Sequence, residues 1–141
     1  MVPPVTVSKV LGLKASNLTN HSLQQITLKG LKKQTLSRVA NMLGISESSA
    51  IALLPISRAT VDRLGKKQQP FDLSTSEHIV FLSKVITVGL DVIGNEENFQ
   101  LWLKTPCRAL ANEKPLDSLN SIFGCEAVIS ILYRAAYGVY S

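Results

Sequence analysis

Trp102-Leu103-Lys104-Thr105-Pro106-Cys107-Arg108-Ala109-Leu110, then Lys114-Pro115-Leu116-Asp117-Ser118-Leu119, then Gly124, and last Tyr133-Arg134-Ala135-Ala136-Tyr137-Gly138-Val139-Tyr140-Ser141 is the stretch that decides how this chain is read. It holds the only Trp and all three Tyr, so the large amphipathic side chains gather in the last third of a chain poor in aromatics. Such residues combine a wide apolar face with one polar handle, which suits a partner surface as well as a core. Thr105-Pro106 ends one helix, and Pro115 is a good first residue for another turn. Leu116, Leu119, Ile122 and Phe123 are then expected to be buried, with Gly124 breaking the run. The last helix is predicted over about Glu126 to Tyr137. One of its stripes, Val128, Leu132, Ala135 and Val139, reads as core. Ile129, Tyr133, Ala136 or Tyr137, and Tyr140 lie on the adjacent face.

Upstream of this block Asn95 can cap a helix, with Glu96 and Glu97 at the positive end of its dipole and Phe99, Trp102 and Leu103 on its apolar side. Gly94 closes a longer helix before it. That helix is expected to open on Ser74-Thr75-Ser76-Glu77, which has the form of a capping box. Its polar positions Ser83, Lys84, Thr87 and Asp91 make one narrow stripe, and the remainder is apolar, so burial on more than one side is expected. No segment alternates apolar and polar residues as a half-buried strand does. The fold class is therefore all-α, with a basic helix-turn-helix domain over 1–70 and a small α-helical domain over 71–141.

The net charge of +5 is unevenly placed. Residues 1–70 carry ten Lys and Arg against Glu47 and Asp62, a net of +8, whereas residues 71–141 carry five against eight acids, a net of −3. A basic half joined to an acidic half points to a polyanion-binding module fused to a module of another kind. Residues 1–20 read as a partly ordered arm. Short helices are predicted from Ser22 to Lys29 and from Lys32 to Leu43, stopped by Gly30 and Gly44. Lys32, Lys33 and Arg38 read as a solvated face. Ser46 can cap a helix from Glu47 to Leu54, and Ser57 can cap a second one that begins Arg58-Ala59-Thr60-Val61-Asp62-Arg63-Leu64. Ile51, Ile56, Val61 and Leu64 would meet in the angle between the two. This is the helix-turn-helix layout, whose second helix enters the major groove. The run Ile56 to Arg63 resembles the recognition segment of bacterial Xre-type regulators, with Pro55 in the turn where Gly is usual. The residues expected at DNA are Ser57, Arg58, Thr60 and Arg63, with Lys66 and Lys67 on the phosphates, because Arg suits guanine and Lys suits phosphate. Gly65 to Phe71 reads as a linker or long turn.

Other function classes find little support. A composition 45% hydrophobic and 18% charged is that of a folded globule rather than a disordered chain. No run of about 18 uncharged apolar residues predicts a membrane span. Met1-Val2-Pro3-Pro4 does not open a secretory signal. Cys107 and Cys125 make neither a CxxC pair nor a disulfide framework, so a reduced, cytoplasmic protein without a metal is expected. His21 and His78 have no nucleophile or ligand spacing around them, and His78 is expected to be solvated. There is no glycine-rich phosphate loop. No catalytic residue and no cofactor are predicted.

The second half is similar to the Xre/MbcA/ParS toxin-binding domain of bacterial antitoxins. The matching features are Phe99, Trp102-Leu103, Pro106, Ala109-Leu110, Pro115-Leu116-Asp117, Gly124, Val128, Leu132, Arg134 and Tyr137-Gly138-Val139-Tyr140-Ser141. Asn112-Glu113-Lys114 stands where members of that family often have Gly before the Pro-Leu-Asp run. The resemblance implies an antitoxin with two binding activities. One is toward a toxin with a RES domain, an NAD-destroying enzyme that the antitoxin obstructs. The other is toward the operator of its own operon. It further implies a homodimer and a hetero-oligomeric complex with the toxin. The implied toxin-binding residues are Trp102, Leu103, Pro106, Leu110, Tyr133, Arg134, Tyr137, Gly138, Val139, Tyr140 and Ser141, with Arg134 and Tyr137 to Ser141 as the plug of the toxin's pocket. The other reading is a helix-turn-helix regulator with a C-terminal dimerisation domain and no toxin.

Overall fold

Short polar side chains place most of the helix starts. Thr6, Thr19, Ser46, Ser57, Asn95 and Ser121 each accept a hydrogen bond from the backbone N–H three residues on. In the computed structural model, which describes residues 6–13 and 19–138, the helices that follow are α1 (Val7–Leu11), α2 (Asn20–Lys29), α3 (Lys33–Leu43), α4 (Glu47–Ala52), α5 (Arg58–Lys67), α6 (Leu73–Ile93), α7 (Glu96–Leu103) and α8 (Ile122–Tyr137). Two 3-10 turns, Arg108–Leu110 and Pro115–Asn120, lie between α7 and α8. Among the described residues the extended contribution is one isolated antiparallel bridge, Cys107 with Glu113. The all-α expectation holds.

Helix α6 is the axis. Ile79, Val80, Leu82, Val85 and Ile86 are buried along it. α1, α2 and α3 pack on it, and so do α7 and α8. One apolar core therefore runs from Val10 and Leu36 through α6 to Val128 and Leu132. Burial on several sides is what its wide apolar arc called for, and it draws residues from both sides of position 70 into one interior.

Several details depart from expectation. α6 starts at Leu73, with Asp72 at the cap position and no side-chain cap bond, so Ser74 and Glu77 form no capping box. The entry is set instead by long-range ties. Phe71 N–H donates to the Leu31 carbonyl at 2.7 Å. Ser76 Oγ accepts from Leu31 N–H at 3.0 Å and donates to the Phe71 carbonyl at 3.4 Å. Ser83 is fully buried rather than part of a wet stripe, because its hydroxyl turns back to the Val80 carbonyl at 2.6 Å. Within the predicted N-terminal arm, residues 6–13 are part of the core. Val10 and Leu11 are buried, and the Arg38 guanidinium donates to the Lys9 carbonyl at 3.0 Å and the Val10 carbonyl at 3.0 Å.

The C-terminal half is also fastened to α3 by polar contacts. Gln100 Nε2 donates to the Met42 carbonyl at 3.2 Å, and Lys104 Nζ donates to the Gly44 carbonyl at 2.9 Å. A helix leaves its last carbonyls without intrahelical donors, and these two side chains from α7 supply them.

Candidate functional site

The basic half presents α4 and α5 as a bent pair. Ile51 and Val61 are buried in the angle, and Ile56 and Leu64 are half-buried against the core beside them. The turn closes without a left-handed glycine. Leu53 N–H and Leu54 N–H reach back to the Ala50 and Ile51 carbonyls at 3.1 and 3.0 Å, so α4 tightens before Pro55. Ser57 caps α5 through Thr60 N–H at 3.1 Å. Arg58 is exposed and reaches Ser48 Oγ, with Asp62 at 3.7 Å. Thr60 is half-buried, whereas Ser57, Arg63, Lys66 and Lys67 are exposed. α5 runs on through Gly65 to Lys67, where a linker was expected, and ends at Gln68 in the left-handed conformation, φ 52°. Lys66 and Lys67 therefore ride on the same rigid helix as Arg58 and Arg63.

At the other end, α7 buries Phe99 and Leu103 completely and leaves Trp102 half-buried. Leu103 thus holds α7 in the core and offers no surface to a partner. Pro106 is exposed and Leu110 half-buried. Phe99 lies on Gly89, where a Cβ would come within 2.1 Å of the ring. The following loop is closed by Cys107 N–H on the Glu113 carbonyl at 2.9 Å. Ala111 and Asn112 adopt φ of 56° and 66°. The loop thus takes, without glycine, the left-handed geometry that glycine favours. Against expectation His78 is buried, with Nε2 donating to the Leu119 carbonyl at 2.8 Å. That bond pins the Pro115–Asn120 turn to α6. Gly124 does not break the chain but lies in the first turn of α8, where a Cβ would stand 1.6 Å from the Ser118 carbonyl oxygen.

α8 begins at Ile122, earlier than expected, because Ser121 caps it through Gly124 N–H at 3.0 Å. At 100° per residue the early start turns Phe123 outward. Its predicted burial is overturned, and it is 84% exposed. Phe123, Ala127, Ser130, Arg134 and Tyr137 are all exposed and recur at helical spacing, opposite the buried Cys125, Val128 and Leu132. Ala135, expected in the core, is also exposed. Tyr133 and Tyr137 stack with ring centroids 5.9 Å apart. Gly138 ends the helix with φ 60°. Val139, Tyr140 and Ser141 lie outside the described residues. Residues 89–138, from Gly89 under the Phe99 ring to the cap of α8, match the family model of the antitoxin Xre/MbcA/ParS C-terminal toxin-binding domain. The C-terminal third of the chain is thus similar to the toxin-binding domain of the Xre-type antitoxins. The chain is also 27% identical over 122 residues to the "Prs ADP-ribosylating antitoxin" of Sphingobium sp. (strain YBL2), covering 80% of this chain and 77% of that one.

Phe123 is the exposed aromatic that sequence reasoning buried. The signal for it was Ser121. A cap there starts the helical count at Ile122 and puts Phe123 in line with Arg134 and Tyr137. No described helix is long and apolar enough to cross a membrane, and no described group of three His, Cys, Asp or Glu side chains could hold a metal.

Proposed function

We propose that this chain is an antitoxin that binds and blocks a RES-domain toxin that degrades NAD, and represses its own operon by binding operator DNA. The two tasks fall to different surfaces. DNA contact is assigned to the 1–70 half, through Ser57, Arg58, Thr60, Arg63, Lys66 and Lys67. Toxin contact is assigned to the 71–141 half. There Trp102, Pro106 and Leu110 flank the loop, and the outward face of α8 leads through Tyr133, Arg134 and Tyr137 toward Gly138 and the final residues, Val139, Tyr140 and Ser141. The observation that carries the toxin assignment is the row Phe123, Ala127, Ser130, Arg134 and Tyr137. It is a mostly uncharged, partly aromatic face about 21 Å long, inside the span that matches a toxin-binding domain. Exposed aromatics beside one Arg are the composition of an interface centre. We place the complex in the cytoplasm, as a homodimer of the antitoxin carrying toxin.

Production of the toxin alone is expected to deplete NAD and stop growth, and co-production of the antitoxin to restore both. Phe123→Ser and Tyr137→Ser should each weaken the purified complex tenfold or more. Unchanged affinity in both variants would remove the α8 face from the interface. A second reading of the toxin's chemistry has its own support in the name of the Sphingobium relative, which ties that protein to ADP-ribosylation. ADP-ribosyl transfer also consumes NAD. Transfer of label from NAD onto a protein by the isolated toxin would favour it, whereas loss of NAD without a labelled protein favours degradation.

A further inference from the structure

The basic half carries more positive charge than the recognition helix uses. The two acids of residues 1–70, Glu47 and Asp62, are both engaged. Lys33 Nζ stands 3.9 Å from Glu47 and 3.7 Å from Asp62, and Arg58 stands 3.7 Å from Asp62. Lys29, Lys32, Lys66 and Lys67 are exposed and have no acidic partner among the described residues. Lys29 and Lys32 are neighbours in space, and Lys32 also lies beside the end of α5 that carries Lys66 and Lys67. Lys29 and Lys32 line one concave surface at the corner between α2 and α3. Lys32 lines a second, which continues across Gly65, Gln68 and Gln69 to the end of α5. The two helices approach closely there, since a Cβ on Gly65 would stand 2.5 Å from the Lys33 side chain. The corner is held firmly, because Gly30 abuts Pro70 and Leu31 is bonded to Phe71. Arg38 lines the first concavity, but its guanidinium is committed to the Lys9 and Val10 carbonyls.

We infer that the corner between α2 and α3 is a second phosphate-binding surface for duplex DNA, with Lys29 and Lys32 gripping the backbone beside the contacts of Lys66 and Lys67. The inference rests on the DNA-binding half of the proposed function. A ridge of unpaired lysines on rigid helix ends has the chemistry of phosphate contacts, which set position and affinity but carry no base information. Its effect is therefore sequence-independent.

The test is titration of the full-length protein into a labelled operator duplex and a scrambled duplex of equal length, across a salt series. Each phosphate contact contributes about 0.9 to the slope of log affinity against log salt. The double variant Lys29→Ala/Lys32→Ala should lower the wild-type slope by about 1.8 and weaken both duplexes by the same factor. Lys29→Gln/Lys32→Gln should do the same, and both should keep the wild-type urea midpoint, since the two side chains are exposed. Arg63→Ala should instead reduce the preference for operator over scrambled duplex. Wild-type binding with a steep slope that neither lysine variant alters overturns the second surface and leaves the recognition helix standing. A wild-type protein that binds neither duplex overturns both.

Discussion

A buried Leu119 carbonyl shows how much of this fold is decided by single atoms. His78 Nε2 donates to it at 2.8 Å, and the more distant Cys125 Sγ, at 3.8 Å, adds little. His78→Leu should leave the carbonyl poorly satisfied and cost about 1–3 kcal/mol, read from urea unfolding. Gly124→Ala should cost at least as much, because its Cβ would meet a backbone oxygen that has no rotamer to escape into. Neither role is legible in the sequence. A lone histidine in a first turn gives no sign of a carbonyl contributed by a turn 41 residues away. Cys125 makes a chemical prediction. Burial pushes its thiol up to about 12, so it stays a neutral thiol at pH 8, whereas Cys107 is half-buried. A thiol reagent at pH 8 should therefore titrate one cysteine in the native protein and two in denaturant. The sign for stability follows the raised value. The support given by the neutral Cys125 thiol is complete below about pH 9 and is lost as pH climbs toward 12.

Where a helix begins is local chemistry, and it was largely readable. Ser46, Ser57 and Asn95 were identifiable as caps from their own side chains, and Gly30, Gly44 and Gly94 as stops. The failures occur where distant contacts overrule a local pattern. Ser74-Thr75-Ser76-Glu77 has the letters of a capping box, yet Leu31, a residue 45 positions before Ser76, sets the entry of α6 by bonding to it. Ser57→Ala should therefore cost about 1 kcal/mol in thermal or urea unfolding, whereas Ser74→Ala should change little. Gln68 closes α5 in a left-handed conformation that disfavours a side chain. Gln68→Gly should stabilise the protein by about 1 kcal/mol. It should leave operator affinity intact, since Lys66 and Lys67 stay on the helix. The same dependence on the helix start explains Phe123. Its exposure needed the position of Ser121 as cap, and the face it shares with Tyr137 then follows from the period alone.

At the scale of the whole molecule, composition divides the chain by charge but says nothing of packing. Charge divides near residue 70, whereas the interior does not. α6 contributes Ile79, Leu82 and Ile86 to a core that Leu36, Val39 and Leu43 enter from one side and Val128 and Leu132 from the other. The full chain should accordingly unfold in one cooperative transition, with far-UV circular dichroism and Trp102 fluorescence tracing the same curve. A fragment ending at residue 70 should lack stable helical structure. Hydrophobicity patterns tell which residues are buried but not which neighbours bury them, so this fusion could not be read from the chain. Gln100 and Lys104, which close the end of α3 from α7, carry a consequence for descent. A chimera spliced near residue 70 would inherit amide and ammonium groups fitted to another parent's carbonyls. Recombination between diverged relatives should therefore succeed where the gene moves whole, and fail where crossovers fall between the two ends.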